Sequence, residues 1–137
     1  MEAKRPEHRD VALIALFDRD GRVLLQHRTE DAPYLPGCWG FFGGGMEEGE
    51  TPEVAVRREA KEEIRYKLKQ PRPVLTMPYA DDKRKGLQYI FIEPYDPAQK
   101  IDLREGQGWG WFRLEEMIFL KIASFDREAL RQLQGKF

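Results

Sequence analysis

Three carboxylates, Glu59, Glu62 and Glu63, stand at spacings of i, i+3 and i+4 in the segment GGMEEGETPEVAVRREAKEEIRY, which runs from Gly44 to Tyr66. On a helix these positions share one face, where like charges cost roughly a few tenths of a kcal/mol per pair. A divalent cation turns that crowding into an attraction. Cations of this kind serve phosphoryl chemistry, because phosphate esters and anhydrides repel hydroxide until their charge is neutralised and a water is acidified. Hard oxygen donors suit Mg2+ or Mn2+, whereas zinc recruits His or Cys. The two histidines, His8 and His27, both lie outside the cluster.

The flanking residues supply the element that must carry these acids. Thr51 is a good N-cap, Pro52 fits the first helical position, and Glu53 complements the positive end of the helix dipole. Val56, Ala60 and Ile64 then form an apolar stripe beside the acidic one, with Arg57, Lys61 and Arg65 facing outward. Ahead of the helix, Gly43-Gly44-Gly45 lets the backbone approach a ligand closely.

The rest of the chain alternates strand and turn signals. Val11 to Phe17 reads as a strand buried on both faces, followed by the turn Asp18-Arg19-Asp20-Gly21 and a hairpin partner from Arg22 to Arg28. Thr29 to Gly37 is a loop, and Cys38 to Phe42 is a short aromatic strand. Pro73 to Tyr79 and Leu87 to Ile92 form a second hairpin across the charged tip Asp81 to Gly86, which reads as solvated surface. Pro94 to Gly108 is a long polar loop, of the kind that often carries function. Trp109 to Phe112 is a short strand, Leu114 to Met117 a helical turn, and Ser124 to Leu133 an amphipathic helix stopped by Gly135. Mixed strands with two main helices indicate an α/β sandwich.

Composition sets the outer bounds. The chain of 137 residues is 41% hydrophobic and 34% charged, the balance of one globular unit spanning 1–137. Its longest apolar run is too short to span a bilayer, and the charged stretch MEAKRPEHRD lacks the apolar core of a secretory signal, so a cytoplasmic location is expected. A single cysteine, Cys38, fits a reducing compartment and a packing role beside Trp39. With 23 basic against 24 acidic residues the net charge is −1, which argues against nucleic acid polymers and anionic membranes as partners. An anionic ligand must then be held locally. The oligomeric state stays open, a homodimer included.

The glycine-acid segment resembles the box of the Nudix family, G-x5-E-x7-R-E-U-x-E-E-x-G-U, where U is a bulky apolar residue. Gly44 takes the first glycine, Glu50 the next acid, Arg58-Glu59 the R-E pair, Ala60 the first U in reduced size, Glu62-Glu63 the acidic pair and Tyr66 the last U. Arg65 replaces the family's second glycine, so the helix either runs on or pays roughly 1 kcal/mol for a left-handed ending. Phe42 stands where members commonly have proline.

The resemblance implies a Nudix-type α/β/α sandwich with a mixed sheet between helices. It also implies hydrolysis of a nucleoside diphosphate linked to another group, with Mg2+ or Mn2+ as cofactor. Residue by residue, it implies that Glu62 and Glu63 are the main metal ligands, that Glu59 is a ligand that also helps deprotonate water, and that the Gly44 carbonyl is a further ligand. Arg58 would orient the carboxylates, and Glu50 is either a ligand or a helix-anchoring acid. Glu105 resembles an acid outside the box that approaches the metal or the attacking water in MutT-type triphosphate pyrophosphohydrolases, and Arg28 falls where that type sets a basic residue against the nucleotide. The family's base-reading asparagine is absent, because Ser124-Phe125-Asp126 occupies its region. Phe125 becomes the candidate substrate contact there, and recognition of an oxidised guanine is not implied.

Blander readings stand beside each candidate. Carboxylates on a helix are usually a solvated face, and the complete box is what favours a site. Glu105 competes with an ordinary loop acid and Arg28 with a surface ion pair. Trp39, Trp109 and Trp111 read as core rather than as base-stacking platforms, His27 as pointing outward, and Glu47 and Glu48 as solvating the loop. The function expected is conversion of a nucleoside triphosphate to monophosphate and pyrophosphate. ADP-ribose or a nucleotide sugar is the alternative substrate, and a non-catalytic nucleotide sensor the alternative class.

Overall fold

A central strand organises the sheet. In the computed structural model, which describes residues 5–137, strand β2 (Val11–Phe17) pairs in parallel with β7 (Arg84–Pro94) and antiparallel with β3 (Val23–His27) and β5 (Phe42–Gly45). Around these lie β1 (Glu7–His8) and β6 (Arg72–Ala80), both against β7, and β4 (Trp39–Gly40) and β8 (Gly108–Phe112), both against β3. The result is one mixed sheet of eight strands. The first four residues of the charged N-terminal stretch lie outside the described residues.

Alternation along β2 explains the layers. Ala12, Ile14 and Leu16 face helix α1 (Pro52–Ile64), packing with Val56, Ala60 and Ile64. Val11, Leu13 and Ala15 face helix α2 (Ser124–Gln132), packing with Ala129, Leu130 and Leu133. Both sheet faces are therefore apolar and both are covered, as the nearly continuous apolar run of β2 requires. The architecture is the expected α/β/α sandwich. Among the described residues no helix is long and apolar enough to cross a membrane.

Both ends of α1 follow from sequence. The Thr51 side chain accepts a hydrogen bond from the Val54 N–H at 3.2 Å, and Pro52 opens the helix. At the other end Arg65 adopts φ 52° and ψ 36°, a left-handed ending whose N–H donates to the Lys61 carbonyl at 3.1 Å. Of the two outcomes open at that position, the chain takes the strained turn.

Several boundaries differ from the sequence reading. The strand expected over Cys38 to Phe42 is divided into β4 and β5, with Phe41 between them, because the glycines themselves pair with β2 in the register Ala12↔Gly44. The tip expected from Asp81 to Gly86 is tighter, since β7 begins at Arg84, and Arg84 is not simply solvated: its guanidinium lies 4.2 Å from the centroid of the Tyr34 ring. His27 stacks flat on Trp39 with centroids 4.3 Å apart rather than pointing away alone, and Trp109 is 40% exposed rather than core. Cys38 is buried beside Trp39, as expected.

Candidate active site

The acidic face of α1, the glycine strand β5 and the loop that carries Glu105 border one open cleft of about 630 Å3. Glu59, Glu62, Glu63 and Glu105 line it together with Gly43, Gly44 and Gly45. A slightly larger groove of about 640 Å3 between Leu114–Phe119 and α2 is mainly apolar and holds none of the acids. Chemistry points to the first.

Arg58 organises the acidic face. Its guanidinium donates to both Glu50 oxygens at 2.8 and 2.9 Å, to Glu59 at 3.0 Å, to Glu62 at 3.1 Å and to the Gly45 carbonyl at 3.1 Å. The two-pronged contact to Glu50 fixes the plane of the guanidinium and hence the acids beyond it. It also holds the Glu50 carboxyl down at about 2. Glu50 further accepts the Glu47 N–H at 2.7 Å, so both its oxygens are engaged and its geometry is that of an anchor. Glu63 turns inward and accepts the Gly43 N–H at 2.6 Å. Glu62 is the exposed member, with 55% of its side chain accessible.

Electrostatics set Glu59 and Glu63 apart. Burial pushes the Glu63 carboxyl well above the usual carboxylate range, and the charge of Glu59 adds to it. Glu59 is raised as well, by burial first and then by Glu62 and Glu105, against the opposing pull of Arg58. Crowding alone would raise one acid of such a cluster; here loss of hydration is the larger cause.

Among the described residues no three His, Cys, Asp or Glu side chains already converge as a closed ligand set. Each of the three helix carboxylates is engaged instead by Arg58 or by the Gly43 N–H. The donor set nevertheless fits a hard divalent cation, since every candidate is an oxygen and buried Glu63 forms no ion pair with a cation of the described residues. Gly44 contributes by its bareness: a Cβ there would come within 3.0 Å of the Glu59 carboxylate.

Three cations line the same cleft. Arg9, Arg28 and Arg84 border it, and none forms an ion pair with a carboxylate of the described residues. Arg28 donates to the Tyr34 carbonyl at 3.3 Å, and the Arg9 guanidinium lies over Gly45, where a Cβ would not fit. Phe125 sits away from the acids, in a recess beside the cleft, tilted against Tyr79 with centroids 5.1 Å apart. Buried Gln88 and Asp126, joined by a hydrogen bond of 2.8 Å, lie in that recess too.

The sequence reading missed Arg9, Arg84, Gln88 and Asp126. A signal existed for two of them. Asp126 lies three and four residues before Ala129 and Leu130, on the buried stripe of α2, and Gln88 shares the strand alternation of Ile90 and Ile92. Polar residues in apolar positions are the informative exceptions.

The NUDIX domain family model matches residues 6–133. This chain belongs to the Nudix family. As a Nudix hydrolase it acts on phosphoric anhydride bonds, and the family generally uses a divalent metal. Nucleoside triphosphatase NudI of Escherichia coli O139:H28 is 28% identical over 127 residues, covering 85% of this chain and 90% of that protein. Among solved structures, the MutT protein from Methanosarcina mazei Go1 superposes with a TM-score of 0.84 at 18% identity, covering 98% of both chains. The MutT Nudix hydrolase from Burkholderia pseudomallei superposes with a TM-score of 0.77 at 26% identity, covering 93% of this chain and 99% of that one.

Proposed function

We propose that this Nudix hydrolase is a Mg2+-dependent pyrophosphohydrolase that converts a nucleoside triphosphate to the monophosphate and pyrophosphate. One observation carries the reading: four acids able to hold a cation and three arginines without carboxylate partners border the same cleft. In this reading Glu59, Glu62, Glu63, Glu105 and the Gly44 carbonyl hold Mg2+, or Mn2+ in its place. The bound cation neutralises phosphate charge, orients the phosphate and makes a water more acidic.

The chain's own residues do the rest. Arg58 keeps Glu59 and Glu62 in position through its fork of hydrogen bonds, a task that metal sites assign to residues behind the ligands. Glu59, raised in pKa and facing Glu105, takes the proton from the attacking water. Arg9, Arg28 and Arg84 bind the phosphate oxygens that the cation does not reach. Three guanidiniums exceed what a diphosphate needs once its charge is shared with a cation, which favours a triphosphate over ADP-ribose or a nucleotide sugar. The likeness to NudI, a nucleoside triphosphatase, supports the same choice.

The test is a screen of the purified protein with Mg2+ against nucleoside triphosphates, dinucleoside polyphosphates and nucleotide sugars, with both products measured. Monophosphate plus pyrophosphate from a triphosphate is the expected result. Turnover confined to ADP-ribose or nucleotide sugars would replace the substrate assignment, and tight binding without product over hours would favour a sensor.

A further inference from the structure

The fold supports the Arg84 cation without neutralising it. Its guanidinium lies 4.2 Å from the centroid of the Tyr34 ring and forms neither a hydrogen bond nor an ion pair with any described residue. An aromatic face attracts a guanidinium through the ring quadrupole and leaves its in-plane N–H donors free, whereas a carboxylate would occupy those donors and cancel the charge. Arg28 shares the same ring, at 5.9 Å from the centroid, and donates to the Tyr34 carbonyl at 3.3 Å. One buried residue of the loop 29–37 thus touches two of the three arginines that border the cleft.

A carboxylate does stand near enough to matter. Asp81 lies three residues before Arg84, in the turn between β6 and β7, and both its oxygens are engaged elsewhere. Oδ1 accepts the backbone N–H groups of Lys83 and Arg84, each at 2.8 Å, and Oδ2 accepts the Tyr34 hydroxyl at 2.7 Å. Burial would raise the Asp81 carboxyl, but the bonds from Tyr34, Arg84 and Lys83, and then the Arg84 charge, hold it below the usual carboxylate range. The backbone bonds are ordinary turn chemistry for Asp. The Tyr34 bond is not, because it reaches across 47 residues of chain to join the loop to the hairpin tip.

We propose, on the reading that Arg28 and Arg84 meet the substrate's phosphates, that Tyr34 is the residue that keeps them ready to do so. Its ring carries Arg84 and steadies Arg28, and its hydroxyl keeps Asp81 Oδ2 from pairing with Arg84. Tyr34 is a positioning residue, since it acts through the two arginines. Loss of the hydroxyl frees a carboxylate to neutralise Arg84, and loss of the ring also removes the platform. The two arginines bind phosphate before and during the reaction alike, so the loss falls on KM and leaves kcat in place.

Four variants test it: Tyr34→Phe, Tyr34→Leu, Asp81→Asn and the double variant Tyr34→Phe/Asp81→Asn. Asn keeps an acceptor for the turn and removes the charge. With Mg2+ present we measure kcat and KM for the triphosphate that the wild type turns over best, and calorimetric Kd for inorganic pyrophosphate, after thermal melting has shown each variant folded. Tyr34→Phe should raise KM and Kd by about three- to tenfold, and Tyr34→Leu by more, with kcat within about twofold of wild type. The double variant should return to within about twofold of wild type, because the carboxylate that Tyr34 restrains is gone.

Unchanged KM and Kd in Tyr34→Phe overturn the proposal, as does a double variant as impaired as Tyr34→Phe, which is the outcome of a packing role alone. Should Tyr34→Leu fail to fold, Tyr34→Phe and the double variant decide the matter. If triphosphates turn over and affinity ignores the variants, only this inference fails. If no triphosphate turns over and pyrophosphate affinity still follows the expected order, the role of Tyr34 stands and the triphosphate reading fails. A wild type that neither binds pyrophosphate nor turns over a triphosphate overturns both.

Discussion

Glu63 and Asp126 are two buried acids that raise the same question: why a chain would hide a charge. Burying a carboxylate without full pairing is unfavourable, so each of them costs stability at neutral pH. For Asp126 the sign is explicit. Its folded value of about 6 lies above the ordinary 3.8, so the folded protein holds this proton more tightly than the unfolded chain does. That contribution is fully present below about pH 4 and is lost as pH rises through about 6, a change of at most about 3 kcal/mol. Asp126→Asn should therefore be more stable than wild type at pH 7.5, with the difference fading by pH 4, in paired denaturant titrations. An equal difference at both pH values would contradict the assignment. The acids of α1 were legible in the sequence because their spacing is local and helical periodicity alone places them together. Asp126 and Gln88 were not, since 38 residues separate them and only the packing of α2 on β7 brings them into contact.

At the level of elements, α1 shows how a departure from a motif is absorbed. Arg65 closes the helix in the left-handed region, where a side chain costs roughly 1 kcal/mol more than glycine. Its side chain is 62% exposed and its Nε approaches Asp102 only to 3.7 Å, an ion pair of little value. Arg65→Gly should stabilise the protein by up to about 1 kcal/mol, raising Tm by about 3–5 °C, with kcat unchanged. A lower Tm would mean that Arg65 makes a compensating contact. The cap at Thr51 and the strand at β2 were readable because caps and apolar runs act within a few residues. The division into β4 and β5 was not, because glycine carries no strand propensity and Gly43–Gly45 are strand only through pairing with β2. Arg84 escaped for a related reason: a charged hairpin tip looks solvated until Tyr34 comes beneath it.

For the whole molecule, the sandwich places α1 on one face of the sheet and α2 on the other, and β5 with the loop around Glu105 brings both faces to one mouth. The acid cleft proposed for phosphate chemistry lies on the α1 side and the recess on the α2 side. Because Glu59 and Glu63 are raised by burial and by neighbouring charge, a cation entering the cleft must displace protons. Calorimetric titration with Mg2+ in buffers of unlike ionisation enthalpy should give different heats, and apparent affinity should rise with pH. Identical heats would contradict a protonated acid at the site.

The central claim is that the carboxylates of α1 hold the cation that drives hydrolysis, and the Glu62→Gln/Glu63→Gln double variant tests it most directly. With Mg2+ and the triphosphate that the wild type turns over best, we expect the variant to melt cooperatively near or above the wild-type temperature. It should release no measurable pyrophosphate. Pyrophosphate release at the wild-type rate from this folded variant would show that the chemistry lies elsewhere.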